Sequence, residues 1–325
     1  MPSKTMQKVT MIALLMTIMT GVSSSVSFAA VKHGKTTATK NITSTGFPLS
    51  ITDEAGHHVV IKKQPLRIAS TTEGTDEIVS ALVPKKRLVM VTTFASQPNY
   101  SNIVSYVKGI PAINEVNAEQ VLAVKPDLVL MASYNTPAIV KQIETTGTPV
   151  FEFANFNSIT QIEQNITLVG RLLGAQQKAK NVVVAMKQQI AHLSSLTKTK
   201  SKITVLNYSS DSYVAGRDTT VNSIIKDANG INVASGIEGW QTITDEELIK
   251  LNPDVIIGTK DDALMVKKLM SNPALSVLSA VKHHRIYLLS GANLTSVSQY
   301  VVRGVRDVEH VLYPNVQLPA DSTLE

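Results

Sequence analysis

Two stretches of this chain follow the same pattern and so constrain how many units it folds into. Asn117-Ala118-Glu119-Gln120-Val121-Leu122-Ala123-Val124-Lys125-Pro126-Asp127-Leu128-Val129-Leu130 aligns without a gap on Thr244-Asp245-Glu246-Glu247-Leu248-Ile249-Lys250-Leu251-Asn252-Pro253-Asp254-Val255-Ile256-Ile257. In each copy an N-cap residue stands two positions before a Glu, a short amphipathic helix follows, Pro-Asp stops it, and an aliphatic strand begins. The Glu-to-Pro distance is seven residues in both. One such helix-stop-strand unit is ordinary in an α/β protein. Two of them predict pseudo-equivalent lobes that face each other.

The surrounding sequence supports that division. Residues 47–61 read as a hairpin turning at Asp53-Glu54-Ala55-Gly56. Continuous aliphatic runs then alternate with helical segments: Arg67-Ile68-Ala69-Ser70, Leu88-Val89-Met90-Val91, Leu128-Val129-Leu130-Met131 and Val150-Phe151-Glu152-Phe153. Strands that are apolar on both sides belong to a parallel sheet covered on both faces. Residues 158–196 form the longest stretch with helical apolar spacing, weakened at Gly170 and Gly174, where a break is open near Gly174-Ala175. Strand-like runs resume at 203–206, 255–257 and 286–289. The expected fold is α/β, with two three-layer lobes of mainly parallel sheet joined by one long helix. Its boundaries are an N-terminal lobe over 47–157, an interlobe helix over 158–197 and a C-terminal lobe over 198–325.

The N-terminus predicts export. Lys4 and Lys8 precede an apolar run over 9–22, and Ser27-Phe28-Ala29 supplies small residues at a cleavage site, which defines a signal peptide over 1–29. The apolar run is too short to span a bilayer. A polar leader over 30–46 follows, rich in Lys, Thr and Ser. Loss of Lys4 and Lys8 leaves 29 basic against 25 acidic residues, scattered along the chain, which gives no footprint for nucleic acid. The chain has no cysteine. Disulfides, thiolate metal sites, Cys nucleophiles and a lipid-modified Cys are therefore excluded, and the expected location is periplasmic or cell-surface without a lipid anchor.

Two roles are open to the repeat glutamates. A first-turn acid offsets the helix dipole, worth roughly 0.3–1 kcal/mol. Alternatively, one exposed carboxylate per lobe makes a two-point grip on a basic partner. Three segments carry a resemblance that bears on this choice: "AEQVLAVKPDLVL", "RIASTTEGTDEIVSAL" and "YVAGRDTTVNSIIKDANGINVA". Together they resemble the iron-chelate and cobalamin family of ABC-importer substrate-binding proteins, over roughly 51–313. The resemblance implies two lobes on a single rigid helix, a solute cleft between them, and docking on an importer's permease dimer through one surface Glu per lobe. Matched motif to motif, those residues are Glu119 and Glu246, and spacing to Pro253 disfavours Glu247.

Ligands of α/β lobes sit beyond the carboxyl ends of the parallel strands. The loops expected there hold Thr72, Glu73, Phe94, Tyr100 and Tyr134 in the first lobe, and Tyr213, Arg217, Trp240 and Asn293 in the second. Aromatics mixed with amides and hydroxyls suit a large, partly apolar chelate. Arg217 either clamps an anionic group or pairs with Asp218 or Asp211. Adjacent histidines (His57-His58, His283-His284) point to opposite faces of a strand, so no metal-ligand set is assembled. By the resemblance, haem is disfavoured because residues 109–114 contain no Tyr. Ser96-Gln97-Pro98 likewise departs from the cobalamin pattern. No G-x-S-x-G, P-loop, G-x-G-x-x-G or H-E-x-x-H occurs. The expected protein is a monomeric, non-enzymatic, cofactor-free binder of a metal chelate, foremost a ferric siderophore. Cobalamin is the alternative ligand, and a secreted hydrolase the alternative class.

Overall fold

The computed structural model describes residues 46–319. The signal segment expected over 1–29, and all of the leader except Gly46, lie outside the described residues. Among those described, no helix is long and apolar enough to cross a membrane.

The chain begins with an antiparallel hairpin, β1 (Leu49–Thr52) and β2 (His58–Ile61). The first lobe then runs β3 (Ile68–Ser70), α1 (Glu73–Leu82), β4 (Leu88–Thr92), β5 (Ala112–Ile113), α2 (Ala118–Ala123), β6 (Leu128–Ala132), α3 (Pro137–Glu144) and β7 (Val150–Phe153). Its five strands form one parallel sheet in the order β5-β4-β3-β6-β7. Strand parity shows why it is sandwiched. Leu128 and Leu130 of β6 enter the core on one face, and Val129 and Met131 pack with α2 and α3 residues on the other.

Two helices follow, α4 (Ile159–Leu173) and α5 (Gln176–Thr197). The second lobe contains β8 (Ile203–Asn207), β9 (Tyr213–Ala215), α6 (Thr220–Asp227), β10 (Gly230–Asn232), β11 (Trp240–Thr242), α7 (Asp245–Leu251), β12 (Val255–Thr259), α8 (Ala263–Ser271), α9 (Ser279–Lys282), β13 (Ile286–Leu289), α10 (Gly291–Leu294) and α11 (Val301–Leu312). Its parallel sheet is ordered β10-β8-β12-β13, and β9 pairs with β11 as a separate antiparallel ribbon.

The single helix expected over 158–197 is in fact two. Gly174 ends α4 in the left-handed conformation (φ 65°), and Lys187 of α5 reaches back to Glu163 of α4 at 3.2 Å. The pair is therefore a helical hairpin, closely packed where Gly170 meets Ala179; a Cβ on Gly170 would lie 2.4 Å from that of Ala179. α5 spans the two lobes, with contacts to α1 on one side and α11 on the other, and α4 also touches α1 and α6. A single buried apolar cluster runs from Leu49 through Met186 and Leu193 of α5 to Tyr313. Lobes that share a core in this way resist large relative rotation.

The duplicated units are equivalent in detail. Lys125 and Asn252, at matching positions before the proline, both adopt positive φ (47° and 38°). A residue before proline cannot continue a right-handed helix, so each copy turns at the same place. The Asp after the proline then ties down the start of the neighbouring strand. Asp127 accepts the backbone N–H groups of Leu66 and Arg67 before β3 (2.9 and 2.8 Å), and Asp254 accepts Thr204 N–H in β8 (3.2 Å). Thr204 Oγ1 also donates to Asp254 at 2.6 Å, which holds that carboxyl below its ordinary pKa.

Candidate functional site

A cavity of about 490 Å³ opens at the carboxyl ends of the first lobe's strands. Each strand end contributes to it: Thr72 after β3, Phe94 after β4, Asn114 after β5, Tyr134 after β6 and Phe156 after β7. Thr295 and Val297 of the second lobe complete the wall. The lobes touch at its floor, where a Cβ on Gly74 would lie 2.5 Å from Val297 Cγ2. Thr72 caps α1 by accepting Thr75 N–H at 3.2 Å. Phe94 meets Tyr100 edge-on with ring centroids 5.5 Å apart. Tyr100 also reaches the second lobe, donating its hydroxyl to Asp261 at 2.7 Å, beside Asn99 Nδ2 at 3.1 Å.

The first turns of α1 place three acids beside this cavity. Glu73 lines it, and its Oε1 is buried without a hydrogen-bond partner. Burial, and then the neighbouring Glu77, push its carboxyl well above the ordinary range. Asp76 accepts Thr92 N–H and Oγ1 on one oxygen (2.9 and 2.7 Å), yet burial still pushes it up to about 8. Glu77 is the hub between lobes. It accepts Asn102 N–H at 2.7 Å and Asn102 Nδ2 at 3.1 Å from its own lobe, and Ser296 Oγ (3.2 Å) and Ser298 Oγ from the other. Asn102 bridges in turn, donating to Ala292 O at 2.9 Å and accepting from Arg303 at 2.8 Å. None of these interlobe ties was anticipated, because the partners lie some two hundred residues apart in sequence.

The raised Asp76 has a measurable consequence. Below the unfolded-state pKa the group is neutral in both states. As pH rises toward 8 the unfolded chain ionises first, so stability is lost through that window. Melting temperature should fall by about 5 °C or more between pH 5 and pH 8.5, and Asp76→Asn should flatten the profile, read by calorimetry.

Of the residues expected to contact ligand, Thr72, Glu73, Phe94, Tyr100 and Tyr134 line the cavity, and Tyr213, Arg217, Trp240 and Asn293 do not. The second-lobe loops are closed on themselves. Arg217 pairs with Glu238 at 2.6 Å and lies 3.7 Å from Asp218, in place of an open clamp, and its N–H donates to Ile237 O at 2.7 Å. Gly216 packs so tightly beneath that a Cβ would sit 2.1 Å from Ile237 O. Asn293 Nδ2 is held by Asp307 at 2.7 Å. Trp240 is half-buried against the core, opposite Ala215, and Tyr213 N–H is held by Ser209 Oγ at 3.1 Å.

The repeat glutamates are both exposed, each at the second position of its helix. Glu247 is committed to a capping box, accepting Thr244 N–H at 2.8 Å, which leaves Glu246 as the outward-facing carboxylate of α7. Among the described residues, one convergence of His and carboxylates occurs away from the cavity. His57 Nδ1 lies 2.9 Å from Glu152 and 3.5 Å from Asp53. This group fastens the hairpin turn to β7, and the sequence reading did not assemble it because Glu152 comes from a distant strand.

Comparison with known proteins settles the family. The profile described as "Periplasmic binding protein" matches residues 68–292. The chain belongs to this periplasmic binding protein family. The uncharacterized ABC transporter substrate-binding lipoprotein YvrC of Bacillus subtilis is 31% identical over 278 residues, covering 83% of this chain and 87% of that one. A cobalamin-binding protein of Halobacterium salinarum is 24% identical over 67% of this chain and 60% of its own. The apo structure of the periplasmic haem-binding protein RhuT from Roseiflexus superposes with a TM-score of 0.68 at 26% identity, over 77% of this chain and 99% of that one. Proteins of this family are extracytoplasmic, bind a small solute, and work with an ABC permease. These relatives are transport proteins in which binding, not turnover, is the activity.

Proposed function

We propose that this periplasmic binding protein captures a metal chelate, foremost a ferric siderophore, and delivers it to an ABC permease dimer. The observation that carries the reading is the interlobe cavity, walled by Phe94, Tyr100, Tyr134 and Phe156 and fringed with Thr and Asn side chains. Such a surface suits the apolar flank of a large chelate and its polar edge. Delivery is assigned to Glu119 and Glu246, which stand exposed at matching positions of the two lobes. Export is assigned to residues 1–29 and their basic and apolar signal pattern.

Cobalamin is the second ligand reading, favoured by the cobalamin-binding relative. A thermal-shift screen of purified protein tests the function. Ferric hydroxamates, ferric catecholates, ferric citrate, haem and cobalamin are the probes. One chelate, supplied at about 100 times its Kd, should stabilise the fold by about 3 kcal/mol, a shift of several degrees. A turnover of ester or peptide substrates that is lost on changing a cavity residue would instead favour a secreted hydrolase.

A further inference from the structure

The charges and unmet hydrogen bonds of the cavity narrow the chelate further, given the chelate-binding reading above. None of the lining residues is Lys, Arg or His, and the two acidic side chains among them are Glu73 and Glu115. Two second-lobe arginines are engaged with other partners. Arg217 pairs with Glu238, and Arg303 donates to Asn102 and lies over the Tyr300 ring at 4.6 Å. The N-terminus of α1 opens on the cavity, but its first turn carries Glu73 and Asp76, and Thr72 Oγ1 already accepts Thr75 N–H. An anion entering here would lose water and meet no counter-charge.

The unmet groups point the same way. Glu73 lines the cavity, and its Oε1 is buried and has no hydrogen-bond partner. Asn165 is 5% exposed, also lines the cavity, and its Oδ1 has none, because its amide nitrogen is turned to Asn155 O at 2.6 Å. Buried acceptors without donors are rare and call for a donor from outside.

We propose that the cavity selects an uncharged or cationic chelate whose amide or ammonium N–H groups reach Glu73 Oε1 and Asn165 Oδ1, and rejects anionic chelates. Ferric hydroxamates and corrinoids share that chemistry; ferric catecholates, haem and oxyanions do not.

Calorimetric titration of the purified protein tests this. Ferrioxamine B serves as the cationic hydroxamate and cyanocobalamin as the uncharged corrinoid, against ferric enterobactin, haem and molybdate. At least one of the first two should bind about 100-fold more tightly than every anion. Glu73→Gln, which keeps an acceptor, should stay within about threefold for the uncharged ligand, whereas Glu73→Leu and, independently, Asn165→Ala should each weaken the bound chelate about tenfold. Circular dichroism checks that each variant is folded. An anionic chelate binding as tightly as the best neutral or cationic one overturns the inference and leaves chelate binding standing. Full affinity in folded Glu73→Leu and Asn165→Ala overturns it too. If no chelate of any charge binds, the chelate reading itself fails and takes this inference with it.

Discussion

Reversing both docking charges, Glu119→Lys with Glu246→Lys, is expected to abolish solute delivery while leaving ligand affinity unchanged. Both carboxylates are exposed, and neither lines the cavity. Among the described residues, neither forms an ion pair or accepts a side-chain hydrogen bond, so the fold does not depend on them. Charges at the rim of an interface govern encounter and register, and juxtaposing like charges there is strongly unfavourable. Uptake of the labelled chelate by cells carrying the cognate permease should fall at least about tenfold in each single reversal and to background in the double. The calorimetric Kd should stay within about twofold of the unmodified protein. Glu247→Lys is the control. Its side chain closes the capping box on Thr244, so its loss should lower stability by about 1 kcal/mol and leave uptake largely intact. Intact uptake in the double reversal would remove the docking assignment.

The second large effect is at Glu77. Replacing it by Ala should lower stability by about 3 kcal/mol, because Asn102, Ser296 and Ser298 each lose an acceptor in a site closed to water. For a chain of this size that corresponds to a fall of about 6–10 °C in melting temperature. Hydrogen exchange should show the loss most strongly near the contact, with amides of residues 292–303 and 99–103 accelerated more than those of β6 and β12. Glu77→Gln keeps one carbonyl acceptor and should lose roughly half as much. The measured locality matters, because Glu77 joins α1 of one lobe to the segment before α11 of the other. Faster exchange confined to the first lobe, with residues 292–303 unaffected, would mean that it supports only its own lobe.

Much of the fold was legible because it rests on local signals. The strands are aliphatic on both faces, as a buried parallel sheet requires, so β3, β4, β6, β7, β8, β12 and β13 fall where the sequence places them. The division of the long helical stretch was also signalled, by Gly174. Yet its consequence, α4 folding back against α5, depends on the close approach of Gly170 to Ala179. The role of Asp127 and Asp254 was read only as the end of a helix. Their grip on the next strand needs the strand order, which local sequence does not state. The candidate site was half legible. Residues placed at the carboxyl ends of the first-lobe strands line the cavity, because parallel sheets present those ends together. For the second lobe the same rule led to Tyr213, Arg217, Trp240 and Asn293, none of which lines the cavity. Asn165 carried no signal at all, being one amide on the apolar face of α4.

The duplicated Glu-helix-Pro-Asp-strand unit indicated, from sequence alone, two lobes with Glu119 and Glu246 at equivalent positions, and the aliphatic strands between helices indicated parallel sheets. Those are properties of short segments, fixed by capping, periodicity and the proline stop, and they survive whatever surrounds them. Only the tertiary structure decided which loops form the cavity and that its walls carry no cation. That depends on which partner each polar side chain finds: Arg217 its Glu238 and Glu77 its Ser298, while Glu73 Oε1 finds none. Partners of that kind are chosen by distance in space, and the chain order of a two-lobed fold does not encode it locally.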